Sequence, residues 1–266
     1  MRDPHVVTLQ YRVVTDPLFE FKDPPPIEHE EAAFRLRLED GTLRVEMKDH
    51  YATEAEARDV VDPFLDAWEI DAALKGRRRD LRFQFERVRV EDREPDGNGR
   101  MAETCEVGYR VDVAVKAEAH EYPSPPARFV ASPDVRALMY RYERYAMGRE
   151  TLLSMANWCL TLVEQRGMAA AHAQGQAELT KRQSAARLYA ISDDVLGLLG
   201  RLCATRGDAV TARKFDPQGS ALTPEETAWI EAAVRSLIRR VGEHDFDPAG
   251  VLARITMANL PTVLPR

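Results

Sequence analysis

Hydrophobic and polar positions alternate with a period of two in the first half of the chain, most clearly between residues 34 and 47. Asp40 and Gly41 interrupt this alternation, and such a pair is typical of a two-residue type I′ turn between antiparallel strands. The turn sets three pairs of facing apolar residues, which are Leu38 and Leu43, Leu36 and Val45, and Phe34 and Met47. All six side chains then share one face, which another element must cover.

Three further segments of the first half alternate in the same way and predict strands: residues 5 to 15, 81 to 90 and 107 to 115. In the second of these the apolar phase changes near Glu86 and Arg87, which predicts a β-bulge there. The first strand is expected to place five side chains on one face, His5, Val7, Leu9, Tyr11 and Val13.

One helix is predicted within the first half. Thr53 and Glu56 have the spacing of a capping box, and Gly76 marks the end of the helical pattern. Pro63 lies inside the pattern, so the helix either kinks there or a second helix starts at this proline. Residues 23 to 31 contain three consecutive prolines and predict a stiff connector that is neither a helix nor a paired strand.

The second half shows helical periodicity. A long helix is predicted from Ser132 to the region of Gly167, and residues 152 to 163 are apolar on nearly every side, as expected for a helix with neighbours on several faces. A second amphipathic pattern runs from Thr180 to about residue 207. A third begins with a capping box at Thr223 and is expected to stop at Gly242.

These elements predict an α+β protein with two domains. Residues 1 to 127 form a mainly antiparallel sheet with one helix, and residues 132 to 266 form a helical bundle. The proline-rich residues 122 to 126 are the expected linker.

Composition and charge narrow the class of protein. Hydrophobic residues make up 44% and charged residues 30%, which is typical of a folded globular chain. Residues 133 to 266 contain 17 Lys and Arg against 15 Asp and Glu, so the net charge of −7 comes from the first half. The longest uncharged run, residues 151 to 163, is too short to cross a bilayer, and no signal peptide is visible, so a cytoplasmic location without a membrane role is expected.

The sequence contains no common catalytic or cofactor motif. The six histidines never pair at helical metal-ligand spacing, and the three cysteines are widely separated, so neither a metal nor a cofactor is expected. Cys159 and Cys203 fall in apolar helical stripes and are interpreted as buried small side chains.

Arg239 and His244 are five residues apart at the end of the third helical pattern. This Arg-x4-His spacing in a helical region resembles the motif of HEPN domains. The resemblance implies a dimer that cleaves RNA without a metal ion, with Arg239 holding the phosphate and His244 moving a proton. The alternative is a solvated helix end whose cations offset the helix dipole.

A basic cluster surrounds this motif and predicts a surface for RNA or another phosphate-bearing partner. Its members are Arg206, Arg213, Lys214, Arg235 and Arg240. Three tyrosines, Tyr140, Tyr142 and Tyr145, are interleaved with Arg141 and Arg144 and can stack on bases or pack against a neighbouring domain or subunit. Arg149 and Glu150 interrupt the apolar stripe and form either a buried pair or a contact between domains.

The absence of a catalytic set favours a non-catalytic interaction or regulatory protein whose helical domain self-associates or binds a protein partner. A HEPN-like endoribonuclease of a toxin or bacterial defence type is the alternative. A small-ligand sensor that uses the sheet is a third hypothesis, and it requires a concave pocket.

Overall fold

The computed structural model describes residues 3–76, 81–93, 117–176, 178–207 and 220–263. The chain divides into two compact units, residues 1–127 and 128–266. The strand predicted for residues 107 to 115 and the basic residues Arg213 and Lys214 lie outside the described residues. The α+β class is confirmed, since the first unit is built on an antiparallel sheet with one helix and the second is helical.

Seven strands are described in the first unit: β1 (Pro4–Val14), β2 (Phe19–Phe21), β3 (Ile27–Glu30), β4 (Phe34–Glu39), β5 (Thr42–Met47), β6 (Arg82–Asp92) and β7 (Ala117–Ala119). Five of them form one antiparallel sheet in the order β3-β4-β5-β1-β6. The two short strands β2 and β7 pair separately and in parallel.

The hairpin β4-β5 has the predicted register, with Leu38 opposite Leu43 and the other two apolar pairs in step. Asp40 and Gly41 have φ values of +50° and +71°, the left-handed backbone that a type I′ turn requires at both positions. The backbone N–H of Gly41 donates to the hydroxyl of Tyr122 at 2.8 Å, so the turn is also held from outside the hairpin.

Two bulges distort the pairing of β1 with β6. The partner of Gln10 is Arg87 and that of Tyr11 is Phe85, so Glu86 is the extra residue and the predicted bulge is confirmed. A second bulge places an extra residue, Val7, in β1. The sequence pattern did not reveal it, and the prediction that Val7 shares a face with Leu9 and Tyr11 is wrong, because Val6 is the residue that is buried with them.

The prediction for residues 23 to 31 is wrong in part. Pro24, Pro25 and Pro26 are outside any strand, but β3 begins directly after them and pairs with β4, with Ile27 opposite Leu38. A strand at the edge of the sheet needs backbone partners on one side only, so it tolerates the prolines next to it.

One helix, α1 (Glu54–Gly76), packs its apolar side into the core of the sheet. The capping box is present, since the N–H of Glu56 donates to Thr53 Oγ1 and the N–H of Thr53 donates to the Glu56 carboxylate, both at 3.2 Å. Pro63 lies within this helix, which runs on through it. The indole N–H of Trp68 donates to the Pro123 carbonyl at 2.8 Å, so the start of the expected linker is anchored to this unit.

Five α-helices are described in the second unit: α2 (Pro133–Ala146), α3 (Leu152–Ala173), α4 (Lys181–Leu188), α5 (Asp193–Thr205) and α6 (Pro224–Phe246). The predicted helix from Ser132 to Gly167 is therefore wrong as a single element. The chain turns at Gly148, where φ is +69°, and restarts at Thr151, whose hydroxyl accepts from the N–H of Ser154. A similar break at Ala190 separates α4 from α5.

Helix α3 is the centre of this unit and packs against each of the other four α-helices. The prediction that residues 152 to 163 are buried on several sides is confirmed by Leu153, Met155, Ala156 and Val163, none of which is more than 1% exposed. Gly167 brings α3 close to α4, because a Cβ at this position would lie 2.4 Å from the backbone nitrogen of Ala185.

Helix α6 continues past Gly242 to Phe246, so the expected stop at this glycine is wrong. A Cβ on Gly242 would lie 2.2 Å from the ring of Phe129. The glycine thus makes room for an aromatic side chain and does not end the helix.

Candidate interaction surface

Arg239 and His244 both lie on α6, and they face different sides of it. Five residues along an α-helix correspond to a rotation of about 140°. The Nε–H of Arg239 donates to Glu243 at 2.9 Å. His244 packs edge-to-face on the ring of Tyr189, with 5.2 Å between the ring centroids, and its Nδ1 lies 3.2 Å from Asp245.

Charged groups surround Tyr189 near the end of α6. Burial raises the pKa of this tyrosine, and the carboxylates of Asp245 and Asp134 raise it further. Arg166 on α3 binds Asp134 at the start of α2 through two nitrogens, at 2.6 and 2.5 Å. The phenol stays protonated and the guanidinium is paired, so this cluster ties the ends of helices together.

The described members of the predicted basic cluster either form hydrogen bonds within the chain or are buried. Arg206 donates to Glu226 and to the Ser220 hydroxyl, both at 2.9 Å. Arg235 donates to the hydroxyl of Tyr142 at 3.2 Å. Arg240 has a side chain only 7% exposed, and burial lowers its pKa.

The three tyrosines of α2 have different environments. Tyr142 is buried, and the hydroxyl of Tyr145 donates to Glu231 on α6. Tyr140 is 58% exposed. Among the three, only Tyr140 offers a large accessible surface to a partner.

The junction between α2 and α3 brings together a buried carboxylate and two arginines. The side chain of Glu150 is only 7% exposed, and it lies 2.6 Å from Nη2 of Arg141 and 3.8 Å from Nε of Arg144. The Ser154 hydroxyl donates to the same carboxylate at 3.2 Å. Arg149 is exposed and takes no part in this network, so Glu150 pairs with residues of α2 and not with its neighbour.

Both arginines also lie over aromatic rings. The guanidinium carbon of Arg141 is 5.2 Å from the ring centre of Trp158, and that of Arg144 is 5.8 Å from the ring centre of Tyr140. Cations at these distances are attracted by the ring quadrupole. The carboxylate and the rings together hold the two guanidinium groups in fixed positions.

Two large apolar side chains complete this surface. Tyr140 on α2 and Met147, the C-cap of that helix, are 58% and 59% exposed, and they are about two turns apart on the same side. We call this surface the corner patch, and it consists of Tyr140, Arg141, Arg144, Met147, Glu150 and Trp158. Tyrosine, tryptophan, methionine and arginine are the residue types enriched where proteins bind one another.

Sequence reasoning identified Tyr140, Arg141, Arg144 and Glu150 but did not connect them. It missed Met147 and Trp158. The signal for Met147 was present, because it falls outside the apolar stripe of α2 at seven residues from Tyr140. The contact of Arg141 with Trp158 depends on how α2 and α3 pack, and no local pattern encodes it.

Comparisons with known proteins found no match: no family model, no curated protein and no solved structure matches this chain. Among the described residues, no helix combines the length and apolar character that a bilayer crossing requires. The same residues contain no group of three or more His, Cys, Asp or Glu side chains placed to hold a metal ion. Cys159 and Cys203 are buried, as expected, and burial raises the pKa of Cys159 to about 12.

Proposed function

We propose that the protein is a non-catalytic interaction protein whose helical unit binds a protein partner through the corner patch. The observation that carries this proposal is the exposure of Tyr140 on α2 and of Met147 at the C-cap of that helix. Single exposed apolar side chains are common, but an aromatic anchor beside ordered arginines has the composition of an interface hot spot.

The charge around the patch indicates an acidic partner. Arg136 is exposed one turn before Tyr140 on α2, and Arg149 is exposed two residues after Met147. Arg144 lies between these two arginines in the sequence. The carboxylate of Glu150 is buried beneath the arginines, so it does not face a partner. An acidic protein segment with an apolar side chain therefore complements this surface.

A second copy of the chain fits less well. In a twofold dimer the same surface faces itself, which would bring the arginines of one copy close to those of the other. Nucleic acid also fits less well, because base stacking needs open ring faces. Guanidinium groups already cover one face of Tyr140 and one of Trp158.

The proposal can be tested with a displayed library of random peptides selected on the full chain and then compared on variants. We expect the enriched peptides to be acidic with at least one large apolar residue. Tyr140→Ala should weaken their binding by roughly tenfold or more, the effect of losing a hot-spot residue. Phe246→Ala is the matched control, since Phe246 is 52% exposed on α6, and it should leave binding unchanged.

Other outcomes would contradict separate parts of the proposal. Enrichment of basic or neutral peptides would exclude the acidic partner but keep the surface. Equal binding by native protein and Tyr140→Ala would exclude the surface. A concentration-dependent dimer that Met147→Ser dissociates in sedimentation equilibrium would show that the occupant is a second copy.

A further inference from the structure

The exposed face of the five-stranded sheet contains a groove of about 460 Å³ that crosses β5, β1 and β6. Its polar lining consists of Thr8, Gln10, Arg44, Glu46, Arg87 and Arg89. On β5, Arg44 and Glu46 alternate with the buried Leu43 and Val45, so the groove is on the side of the sheet opposite the core. A pocket for a small ligand typically has a volume of about 300–1,000 Å³, and this groove lies within that range.

The register of the strands places three arginines in one row across the sheet. Arg37 on β4 is opposite Arg44 on β5, Arg44 is opposite Gln10 on β1, and Gln10 is opposite Arg87 on β6. Like charges directly opposite one another destabilise a sheet. The pairing of Arg37 with Arg44 is therefore a cost to folding unless carboxylates or another anion offset it.

Two arginines of this row have partners within the protein. Arg37 donates to Glu28 at 2.8 Å and to Glu39 at 2.9 and 3.0 Å. The Nε–H of Arg87 donates to the amide oxygen of Gln10 at 2.9 Å, which joins the side chains of β6 and β1 across this face of the sheet.

Arg44 is different. Its guanidinium forms no hydrogen bond or ion pair with any residue that the structure describes, although Glu46 lies two positions away on the same strand. Arg89 is paired with Glu91, so among the lining residues Glu46 is the carboxylate against the guanidinium groups of Arg44 and Arg87. The lining of the groove therefore has an excess of positive charge, and Arg44 on its β5 side has no partner among the described residues.

We propose that this groove binds a small anionic ligand whose phosphate or carboxylate group lies between Arg44 and Arg87. A guanidinium offers parallel N–H donors that match two oxygens of either anion. The hydroxyl of Thr8 lines the groove beside them, and so does the amide nitrogen of Gln10, which donates to Glu86 at 3.1 Å and has a second hydrogen to donate. This binding site would make the sheet unit a ligand sensor, separately from the corner patch of the helical unit.

The test is isothermal titration calorimetry of the full chain with four probes: inorganic phosphate, citrate, adenosine monophosphate and uncharged adenosine. We expect at least one anion to bind with a dissociation constant below about 1 mM, and we expect adenosine not to bind. Tighter binding of phosphate and adenosine monophosphate than of citrate indicates a phosphate ligand, and tighter binding of citrate indicates a carboxylate ligand.

Variants assign the binding to the groove. Arg44→Met should weaken the affinity for the anion by roughly tenfold or more. Arg44→Lys should restore part of this affinity, because lysine keeps the charge but lacks the paired donors of arginine. Arg35→Met is the matched control. Arg35 on β4 is exposed on the same face of the sheet as Arg44 but outside the groove, and it pairs with Glu30 at 3.5 Å. Equal affinity of native protein and Arg44→Met, binding of adenosine as tight as that of its monophosphate, or no binding of any anion would overturn the proposal.

Discussion

Arg141 and Glu150 form an ion pair of 2.6 Å that joins the end of α2 to the start of α3. Glu150 directly precedes Thr151, the N-cap of α3, so its carboxylate is also near the positive end of a helix dipole. Because Arg141 in turn lies over Trp158, the pair fixes an aromatic ring of α3 against α2. The shape of the corner patch therefore depends on a carboxylate that no partner can reach.

Replacing this carboxylate should destabilise the protein. In Glu150→Gln the arginines keep their positions but lose the buried counter-charge, and Arg141 and Arg144 already have an Nε without a hydrogen bond. We expect a loss of about 2 kcal/mol in the free energy of unfolding, below the range for fully buried pairs because the arginines are partly exposed. Urea unfolding followed by circular dichroism measures this change.

Arg149→Gln is the control for Glu150→Gln, because Arg149 is adjacent in sequence but exposed. Its effect should stay within about 0.5 kcal/mol, as is usual for a surface position. If both variants unfold at the urea concentration of the native protein, the ion pair has no structural importance and the corner patch is not preorganised.

Two glycines inside helices should respond in opposite ways to alanine. A Cβ at Gly167 would lie 2.4 and 2.6 Å from backbone atoms of Ala185, which cannot move unless α4 shifts. Gly197 on α5 has nothing within 4 Å of the added atom. We expect Gly167→Ala to lose about 3 kcal/mol of stability through overpacking. Gly197→Ala should gain about 0.5–1 kcal/mol from helix propensity. Thermal unfolding of both variants checks this, and a gain in stability for Gly167→Ala like that expected for Gly197→Ala would show that α3 and α4 are not in close contact at this position.

The sequence was most informative where structure is set by neighbouring residues. The hairpin at Asp40 and Gly41 and the capping box at Thr223 depend on a few adjacent side chains, and both are present as predicted. The break at Gly148 also had local signals, a glycine followed by a Thr N-cap, but the continuous apolar period obscured them.

Features that depend on packing could not be predicted. Gly242 has the local signature of a helix end, yet it accommodates the ring of Phe129 from another segment. The bulge at Val7 shifts which valine is buried, and nothing in the alternation of β1 marks it. The groove beside Arg44 follows from the order and register of β5, β1 and β6, which a single strand pattern does not contain.

The endoribonuclease interpretation makes a direct prediction about RNA. Within one copy, Arg239 is paired with Glu243 and is about 140° around α6 from His244, an arrangement that does not favour a shared phosphate. We expect no cleavage of a labelled single-stranded RNA above buffer background with EDTA present, for native protein and for His244→Ala alike. Cleavage by the native protein that His244→Ala abolishes would restore the HEPN-like interpretation and remove the non-catalytic one.

Stability should fall at alkaline pH because of Tyr189. Burial and the nearby Asp245 and Asp134 raise its pKa in the folded protein, so the folded state retains a proton that the unfolded state releases above about pH 10. The stabilisation is complete below that pH and decreases as pH rises, by about 1.4 kcal/mol per unit for one proton. Tyr189→Phe keeps the ring beside His244 but removes the titrating hydroxyl, and other tyrosines with raised pKa values, such as Tyr145, still contribute. Urea unfolding at pH 8 to 11 should therefore show a shallower loss of stability for Tyr189→Phe than for the native protein. Parallel pH profiles for the two proteins would mean that Tyr189 ionises as freely in the folded state as in the unfolded chain.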